Sequence, residues 1–381
     1  MMYIRVLSIR KHKTVTFINA YSNECGSEQY MLENDMAKNI KCGDLLNVNC
    51  INTLNNKGIF IKKIISIHEH IICNDFESAK GINGEQISLK EKNHIDAING
   101  RYPIQILKYK SELLHKIKDL LDTLGYFDAT NLTNTVEQYA SGSNIKDAVI
   151  NNRGDNEPKY LRSTLENQLK QLTAITLQSV YAIDKVFRNM GEDSSHINEF
   201  LMLEIVSLSN DIEEITNFIK KIDFWAKELG EKYKIFVPDK KMEIIDYDDI
   251  IKFNIDYENY RKNFVNTLVI NFPCHSPLIK CDNDGNRKEI RWYVNGHWIS
   301  HYYFDENQYN NVKDALNRQI KINEKKDVNP LNYFEWGVPT TISMGLSIDR
   351  WLQMLLDMEN ICLIANPIGL DYKSKTLRRN K

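Results

Sequence analysis

Residues 181–208 constrain the fold more than any other stretch of the chain. Both ends of this segment alternate in the period-two pattern that is typical of β-strands. The intervening residues 188–198 are polar and too numerous for a tight hairpin turn. This loop contains Arg188, whose planar guanidinium suits phosphate or carboxylate, together with His196 and several carboxylates. The pattern predicts two paired strands with an anion-binding loop, and an ordinary long hairpin with a solvated loop fits these residues equally well.

Length, charge and cysteine usage limit the class of protein. A chain of 381 residues is long enough for about two domains. The net charge of −2 provides no overall basic field for nucleic acid, and no apolar run reaches the ~18 residues that a membrane span needs. The first residues lack the features of a signal peptide, and the 7 cysteines show no CxxC spacing. We therefore expect a cytoplasmic protein without a zinc site.

The N-terminal part of the chain has the pattern of a small β-barrel. Residues 1–75 contain short alternating or β-branched segments, at 4–9, 14–21, 45–51 and 58–65. Residues 27–41 leave room for one more strand and a short helix. Five short strands in this length suit an OB-fold. The polar residues 76–101 predict a linker to the remaining part, 102–381.

The spacing of apolar residues changes after the linker. In residues 102–124 and 211–233, apolar side chains recur every three or four residues, which predicts two amphipathic helices. Gly125 is expected to end the first of them. Residues 289–303 predict a hairpin whose turn is Asn295-Gly296. Ser163 or Thr164 is expected to cap a further helix that begins near Glu166. Strands and helices in this mixture predict an α+β domain.

Several segments, among them 139–149, 160–172, 268–280 and 289–303, resemble class II aminoacyl-tRNA synthetases of the aspartyl/asparaginyl/lysyl subclass, and three others resemble its motifs 1 to 3. The pattern FRNMG…H…EF…MLE, between Phe187 and Glu204, resembles motif 2 in its lysyl form. The sequence YFEWGVPTTISMGLSIDRWLQMLL, at 333–356, resembles motif 3. The helix, Gly125, aromatic and strand of 102–132 resemble motif 1, with Leu132 in place of its proline. The chain is thereby identified as a divergent lysyl-type member of this family.

The resemblance implies an architecture and a set of partners. It implies an N-terminal OB-fold barrel that binds the tRNA anticodon, followed by a catalytic domain with an antiparallel β-sheet flanked by helices. It also implies a homodimer that binds an amino acid, ATP and tRNA. Unpaired bases stack on exposed aromatic and basic side chains, for which the candidates are Arg5, Arg10, Lys11, Phe17 and Tyr21. For Phe17 the alternation favours a place in the barrel core.

Several residues match the family's nucleotide-binding positions. Arg188 matches the arginine on the α-phosphate of ATP, and Arg350 matches the arginine along the triphosphate, which makes these two the candidate catalytic residues. His196 and Phe200 match the loop histidine and the aromatic under adenine. Gly345 is expected to let the ligand approach the backbone.

The family's amino-acid pocket is matched by carboxylates and polar aromatic side chains, at Glu166, Glu204, His301, Tyr303 and Asp305. The resemblance gives Glu166 the role of contacting the α-ammonium, while a structural role in the first helical turn is the alternative. Carboxylates directed into a cleft prefer a cationic ligand, so a lysine-like amino acid is expected. Val206 in place of a tyrosine, and an aspartate rather than a glutamate at 305, argue against strict lysine specificity.

Other positions depart from the family's pattern. Met190 replaces the glutamate that reads adenine, and Ser195 replaces a loop arginine. Arg291 and Trp298 stand where the family uses two glutamates to hold magnesium on ATP. Neither side chain can ligate Mg²⁺, which prefers carboxylate oxygen. ATP therefore stays an expected ligand, and a magnesium site is not expected.

The sequence leaves the reaction open between different classes of function. The chain fits a divergent synthetase that activates an amino acid with ATP for transfer to tRNA or another acceptor. It also fits a non-catalytic pseudo-synthetase that binds an amino acid or a partner, and a repurposed biosynthetic amino-acid ligase. Because fold alone does not fix function, the geometry of the site has to decide among these.

Overall fold

The computed structural model describes most of the chain, namely residues 2–22, 26–52, 59–68, 104–137, 148–150, 159–189, 191–238, 241–274, 276–282, 286–323, 334–335 and 337–365. The chain divides into two compact units, of which one contains the N-terminal strands and the other contains Lys108–Ala365. The predicted linker, 76–101, lies outside the described residues, so the proposed domain boundaries stay a prediction.

The N-terminal unit is a closed five-stranded barrel, as predicted. Its strands are β1 (Met2–Lys11), β2 (Val15–Ser22), β3 (Gly26–Glu33), β4 (Leu45–Asn52) and β5 (Ile59–His68). They close in the order β1-β2-β3-β5-β4. Strand β3 fills the place left for a fifth strand, and residues 34–39 form turns rather than the short helix that the sequence allowed.

The prediction that Phe17 lies in the barrel core is wrong. Strand β2 turns Thr16, Ile18 and Ala20 inward, so Phe17 lies on the outer face and is only partly buried. There its ring contacts the guanidinium of Arg10 at 5.3 Å and the ring of His12 at 5.3 Å. The buried Thr16 hydroxyl donates to Asn34 Oδ1 at 2.7 Å, and this hydrogen bond lets a polar residue occupy the inward position.

The second unit combines helices with two sheets. Its helices are α1 (Gln105–Thr123), α2 (Glu166–Thr176), α3 (Ile212–Tyr233), α4 (Tyr247–Lys252), α5 (Tyr257–Tyr260), α6 (Tyr309–Asn323) and α7 (Ile348–Leu355), with 3-10 turns at Arg261–Asn263 and Ile361–Leu363. Its strands are β6 (Phe127–Asp128), β7 (Val136–Glu137), β8 (Ala148–Ile150), β9 (Lys159–Leu161), β10 (Val180–Phe187), β11 (Glu199–Ser207), β12 (Glu243–Asp246), β13 (Asn266–Pro273), β14 (Lys288–Val294), β15 (His297–Phe304) and β16 (Ile342–Ser347).

Eight of these strands form one large sheet, in the order β12-β13-β14-β15-β16-β11-β10-β6. Every pairing from β13 to β10 is antiparallel, and the edge strands β12 and β6 pair in parallel. The predicted hairpin is present as β14 and β15, with Asn295 (φ 47°) and Gly296 (φ 76°) in the left-handed conformation that its tight turn requires. The α+β fold of the class II synthetases is thus present.

The helices follow the predicted apolar stripes. Helix α1 buries Ile106, Tyr109, Leu113, Ile117 and Leu121, at spacings of three and four. Helix α3 begins at the N-cap Asp211, whose side chain accepts from the backbone of Glu213. In the described part of the chain, no helix combines the length and apolar character that crossing a membrane requires.

The helix near Glu166 begins differently from the prediction. Its N-cap is Leu165, which makes no side-chain cap hydrogen bond, rather than Ser163 or Thr164. The Thr164 hydroxyl nevertheless accepts from the backbone N–H of Glu166 at 3.2 Å. The same hydroxyl also donates to a carboxylate on the sheet, so Thr164 links the start of α2 to β11.

Candidate active site

A cavity of about 760 Å³ opens on one face of the large sheet. Alternation along each strand directs every second side chain to this face. The cavity receives Phe200, Met202, Glu204 and Val206 from β11, Ser343, Gly345 and Ser347 from β16, and His301 and Tyr303 from β15. Strand register aligns them in rows, because Glu204 pairs with Gly345 and then His301, and Val206 pairs with Ser343 and then Tyr303. All the residues predicted to bind ATP or the amino acid, except Asp305, line this cavity.

Two arginines line the cavity. Arg188 lies at the end of β10, where its Nε donates to the carbonyl of Ser163 at 3.2 Å and its guanidinium contacts the Phe200 ring at 5.2 Å. Arg350, in the first turn of α7, donates to the carbonyl of Ser195 at 3.2 Å. Within the described residues, neither guanidinium forms an ion pair with a carboxylate. Burial lowers the pKa of both. At Arg188 the charge of Glu204 opposes this lowering, and the charge of Arg350 adds to it.

The loop between β10 and β11 is fixed by its own hydrogen bonds. His196 Nδ1 lies 3.0 Å from Asp193 Oδ1, and the Ser195 hydroxyl donates to the same oxygen at 3.0 Å. The backbone N–H of Ser195 is the main cause of a pKa of Asp193 well below its usual range. Gln353 of α7 donates to the carbonyl of Ser194 at 2.8 Å, which ties the loop to the helix that carries Arg350. Met190 lies outside the described residues.

Glu204 is a buried carboxylate of the cavity, near enough to Arg188 for the two charges to influence each other's pKa. Its Oε1 accepts from the Thr164 hydroxyl at 2.7 Å and from the backbone N–H of Leu165 at 3.1 Å. Burial raises the pKa of Glu204 to about 7, and the charge of Glu166 contributes to this rise. Near neutral pH, the cavity therefore contains a carboxylate that a bound ammonium would help to ionise.

A buried lysine in α2 contacts the two remaining predicted carboxylates. Lys170 Nζ lies 2.5 Å from Glu166 Oε1 and 2.7 Å from Asp305 Oδ1, and its side chain is 1% exposed. Burial alone would raise the pKa of Glu166, but the Lys170 ammonium lowers it below its ordinary value. Lys170 is not among the residues predicted from the sequence, although its i,i+4 spacing from Glu166 is a signal for such a pair.

Asp305 is not presented to the cavity. Its Oδ2 accepts from the hydroxyls of Thr341 and Ser343, both at 2.7 Å, and its side chain is 2% exposed. Tyr303 does line the cavity, and its hydroxyl donates to Glu166 Oε1 at 2.7 Å. The sequence predicts a cationic ligand for Glu166 and Asp305, and in the structure the cation beside these two carboxylates is the ammonium of Lys170.

The two positions that the sequence predicts to match the family's metal ligands, Arg291 and Trp298, form a stacked pair of a cation and an aromatic ring. The Arg291 guanidinium lies 3.6 Å from the centre of the Phe272 ring and 4.1 Å from that of Trp298, and its Nε lies 2.5 Å from Glu289 Oε1. Glu289 Oε2 lies 2.9 Å from His301 Nδ1, so both oxygens of this carboxylate are engaged. No group of three or more His, Cys, Asp or Glu that could hold a metal occurs among the described residues. These residues do not fit a magnesium ion.

Fold and site together define a class of protein. The family model "tRNA synthetases class II (D, K and N)" matches residues 85–366, which is more than half of the chain, and the chain belongs to this family.

The relatives with which the chain shares sequence are lysine–tRNA ligases. The enzyme of Buchnera aphidicola subsp. Cinara cedri is 23% identical over 428 residues, covering 94% of this chain and 84% of the relative. That of Fervidobacterium nodosum is 21% identical over 429 residues, covering 96% and 83%. That of Listeria welshimeri is 23% identical over 331 residues, covering 71% and 65%. The sequence-based identification of a lysyl-type family member is confirmed, and the roles of individual site residues stay predictions.

Proposed function

We propose that this chain binds an amino acid and ATP in the one cavity and activates the amino acid. An oxygen of the amino-acid carboxylate bonds to the α-phosphorus of ATP, and the bond from that phosphorus to the bridging oxygen breaks. The products are an acyl-adenylate and pyrophosphate, which takes the electron pair of the broken bond. The acyl group then passes to an acceptor.

The observation that carries this proposal is the charge distribution of the cavity. Arg188 and Arg350, partly buried and without ion-pair partners in the described chain, line the same cavity as the carboxylates Glu166 and Glu204. A partly buried charge favours a ligand group of opposite sign, so the arginines favour an anionic group and the ionised carboxylates favour an ammonium. An amino acid has an ammonium and a carboxylate one carbon apart, and a nucleotide adds phosphates on the carboxylate side.

Placement and electrostatics are the contributions that this chain's residues can make to the reaction. In the proposed arrangement, Glu166 and Glu204 orient the ammonium, and Arg188 lies where the carboxylate and the α-phosphate meet. Charge that develops on the phosphate in the transition state is stabilised by the Arg188 fork. Phe200, already stacked under Arg188, offers a ring surface for the adenine, and Arg350 is assigned to the outer phosphates.

A tRNA acceptor is the proposal that best accommodates the barrel. The relatives are named lysine–tRNA ligases, and the outer face of β2 presents Phe17 stacked with Arg10, a pair suited to an unpaired base. The homodimer implied by the resemblance and the cytoplasmic location expected from the sequence stay predictions. A different acceptor would leave the activation step unchanged.

A second candidate function is amino-acid binding without activation. It is favoured by the Arg291 guanidinium, which lies between the rings of Phe272 and Trp298 at the positions where the family holds magnesium. A metal ion on the phosphates is worth several kcal/mol of transition-state stabilisation. In this candidate, Glu166 and Glu204 still bind the ammonium, and the two arginines bind the carboxylate of the amino acid alone.

Amino-acid-dependent exchange of pyrophosphate into ATP distinguishes these functions. We expect exchange with at least one of the twenty amino acids, its loss in Arg188→Ala, and its retention in Arg318→Ala, which changes an exposed arginine of α6. Calorimetric binding of an amino acid without exchange would support the second candidate. If no amino acid binds, both candidates are contradicted.

A further inference from the structure

We propose that His301, oriented by the buried carboxylate of Glu289, is the general base that takes the proton of the acceptor when the acyl group leaves the adenylate. This inference rests on the proposed function, because it concerns the second of the two steps proposed there. It assigns a catalytic residue to that step and a positioning residue to that histidine.

The first observation is the hydrogen bond between these two side chains. His301 Nδ1 lies 2.9 Å from Glu289 Oε2, and the Glu289 side chain is 1% exposed. Burial opposes the ionisation of Glu289, but the hydrogen bond from His301 and the charge of Arg291 hold its pKa below the ordinary value. An ionised carboxylate only accepts hydrogen bonds, so the contact requires a proton on Nδ1. In the neutral imidazole, Nε2 then has a free lone pair that can accept a proton.

The second observation is the arginine that holds the other oxygen of Glu289. Arg291 Nε donates to Glu289 Oε1 at 2.5 Å, and the guanidinium stacks on the rings of Phe272 and Trp298. Because this stacking holds the arginine in place, the carboxylate is kept with Oε2 toward the imidazole. The Trp298 ring also contacts the His301 ring edge to face, with the ring centres 5.4 Å apart. The position and the tautomer of His301 are thus fixed by its neighbours.

The third observation is that the other ring nitrogen faces the cavity. His301 lines the cavity, and a Cβ built on Gly345 would lie 3.6 Å from His301 Nε2. Within the described residues, this nitrogen has no hydrogen-bond partner. Strand register puts Glu204, Gly345 and His301 in one row, and Gly345 leaves the space between the other two open. An amino acid whose ammonium lies at Glu204 has its carbonyl carbon two bonds away, in this space.

The chemistry of the two proposed steps determines which of them needs a base. In the activation step the attacking group is a carboxylate, which has already lost its proton at neutral pH. In the transfer step the acceptor attacks through a hydroxyl or an amine, and its proton must leave as the new bond forms. A base in the cavity therefore serves the transfer of the acyl group rather than its activation.

The transfer step can be written with every bond accounted for. The oxygen or nitrogen of the acceptor bonds to the carbonyl carbon of the adenylate, and His301 Nε2 takes the acceptor's proton. The bond from that carbon to the phosphate oxygen breaks, and AMP leaves with the electron pair. The Glu289 carboxylate stabilises the imidazolium that forms. His301 then releases the proton to water, to which its side chain is 34% exposed.

NMR of the histidine side-chain nitrogens tests the tautomer without any substrate. The His301 signals are those that disappear in His301→Asn. We expect the neutral ring of the unmodified chain to carry its proton on Nδ1. In Glu289→Gln the amide oxygen is expected to accept from Arg291, which leaves the amide NH2 to donate to His301 Nδ1 and moves the ring proton to Nε2. A neutral ring with its proton on Nε2 in the unmodified chain overturns the inference.

The rates of the two steps test the catalytic role. Pyrophosphate exchange reports activation, and the release of AMP after an acceptor is added reports transfer. Unfractionated tRNA is the hydroxyl probe and glycinamide is the amine probe. With whichever probe accepts the acyl group, we expect Glu289→Gln to lower the ratio of transfer rate to exchange rate by about a hundredfold. If neither probe accepts it, or if the variant does not fold, the tautomer in the unmodified chain decides alone.

Glu258→Gln is the matched control for this substitution. Glu258 also accepts from an arginine Nε, that of Arg261 at 2.7 Å, and does not line the cavity. We expect this control to leave the ratio of the two rates unchanged. An equal ratio in Glu289→Gln and the unmodified chain overturns the inference and leaves the proposed activation standing. Absence of exchange with every amino acid contradicts the proposed activation, and this inference fails with it.

Discussion

Replacing Glu204 by glutamine is expected to stabilise the unliganded protein above neutral pH. Glu204 is 4% exposed, and burial raises its pKa from 4.5 to about 7. Between these two values the folded state binds more protons than the unfolded state, so stability falls as pH rises through this window. Above pH ~7 the ionised carboxylate opposes folding in full.

The size of this effect follows from the pKa difference. A rise from 4.5 to about 7 corresponds to about 3 kcal/mol, because one pKa unit equals ~1.4 kcal/mol. Glutamine abolishes this cost but weakens the hydrogen bonds from Thr164 and Leu165. We set the stability lost through this weakening at about 1 kcal/mol. The expected net gain for Glu204→Gln is therefore about 2 kcal/mol at pH 8, and close to zero at pH 5.

Denaturant unfolding of both proteins at pH 5 and pH 8 measures this gain. The account predicts that the two free energies of unfolding differ at pH 8 and converge at pH 5. Ligand binding is expected to change in the opposite direction, because an ammonium needs the ionised carboxylate: wild-type amino-acid affinity rises as pH passes through about 7, and Glu204→Gln removes this dependence. A variant that is destabilised equally at both pH values would refute the assignment of a raised pKa to Glu204.

Further substitutions separate contributions to binding from contributions to stability. A Cβ at Gly345 would meet Met202 and His301 at ordinary contact distances of 3.5 and 3.6 Å, so Gly345→Ala should leave the unfolding midpoint unchanged while narrowing the cavity and weakening nucleotide binding in calorimetry. Arg350→Lys keeps the charge and loses the planar fork, so ATP affinity should fall by about tenfold while amino-acid affinity is unchanged. Lys110→Met leaves the buried Asp349 carboxylate, 2.5 Å from Lys110 Nζ, without its ion pair, and should cost about 3 kcal/mol in denaturant unfolding.

The sequence predicts those parts of the fold that depend on local patterns. Alternation locates β10 and β11, and the Asn295-Gly296 pair locates the hairpin turn, because period and turn chemistry are properties of neighbouring residues. Alternation also predicts that Glu204 and Val206 share a face. Alternation does not indicate which face of a short barrel strand is the inner one, and the prediction for Phe17 is wrong for that reason.

The candidate site is predictable where residues act through position on a strand, and not where they act through packing. Glu166 and Lys170 form an i,i+4 pair, a pattern that usually belongs to an exposed helix face. Its burial depends on how α2 packs against β10 and β11 of the large sheet, and Lys170 meets Asp305 just after the end of β15. No local pattern encodes that contact. The same holds for Arg291, which joins Phe272 and Trp298 from separate strands.

The central claim is that one cavity binds the ammonium of an amino acid at Glu166 and Glu204, and its carboxylate with the phosphate of a nucleotide at Arg188 and Arg350. A stable sulfamoyl analogue of an acyl-adenylate, made with an amino acid that the cavity binds, reaches both sets of groups. Calorimetric titration should show that this joined ligand binds at least about a hundredfold more tightly than the amino acid or AMP alone, because linking removes the entropic cost of the second binding event. Binding no tighter than that of the better fragment would contradict the account.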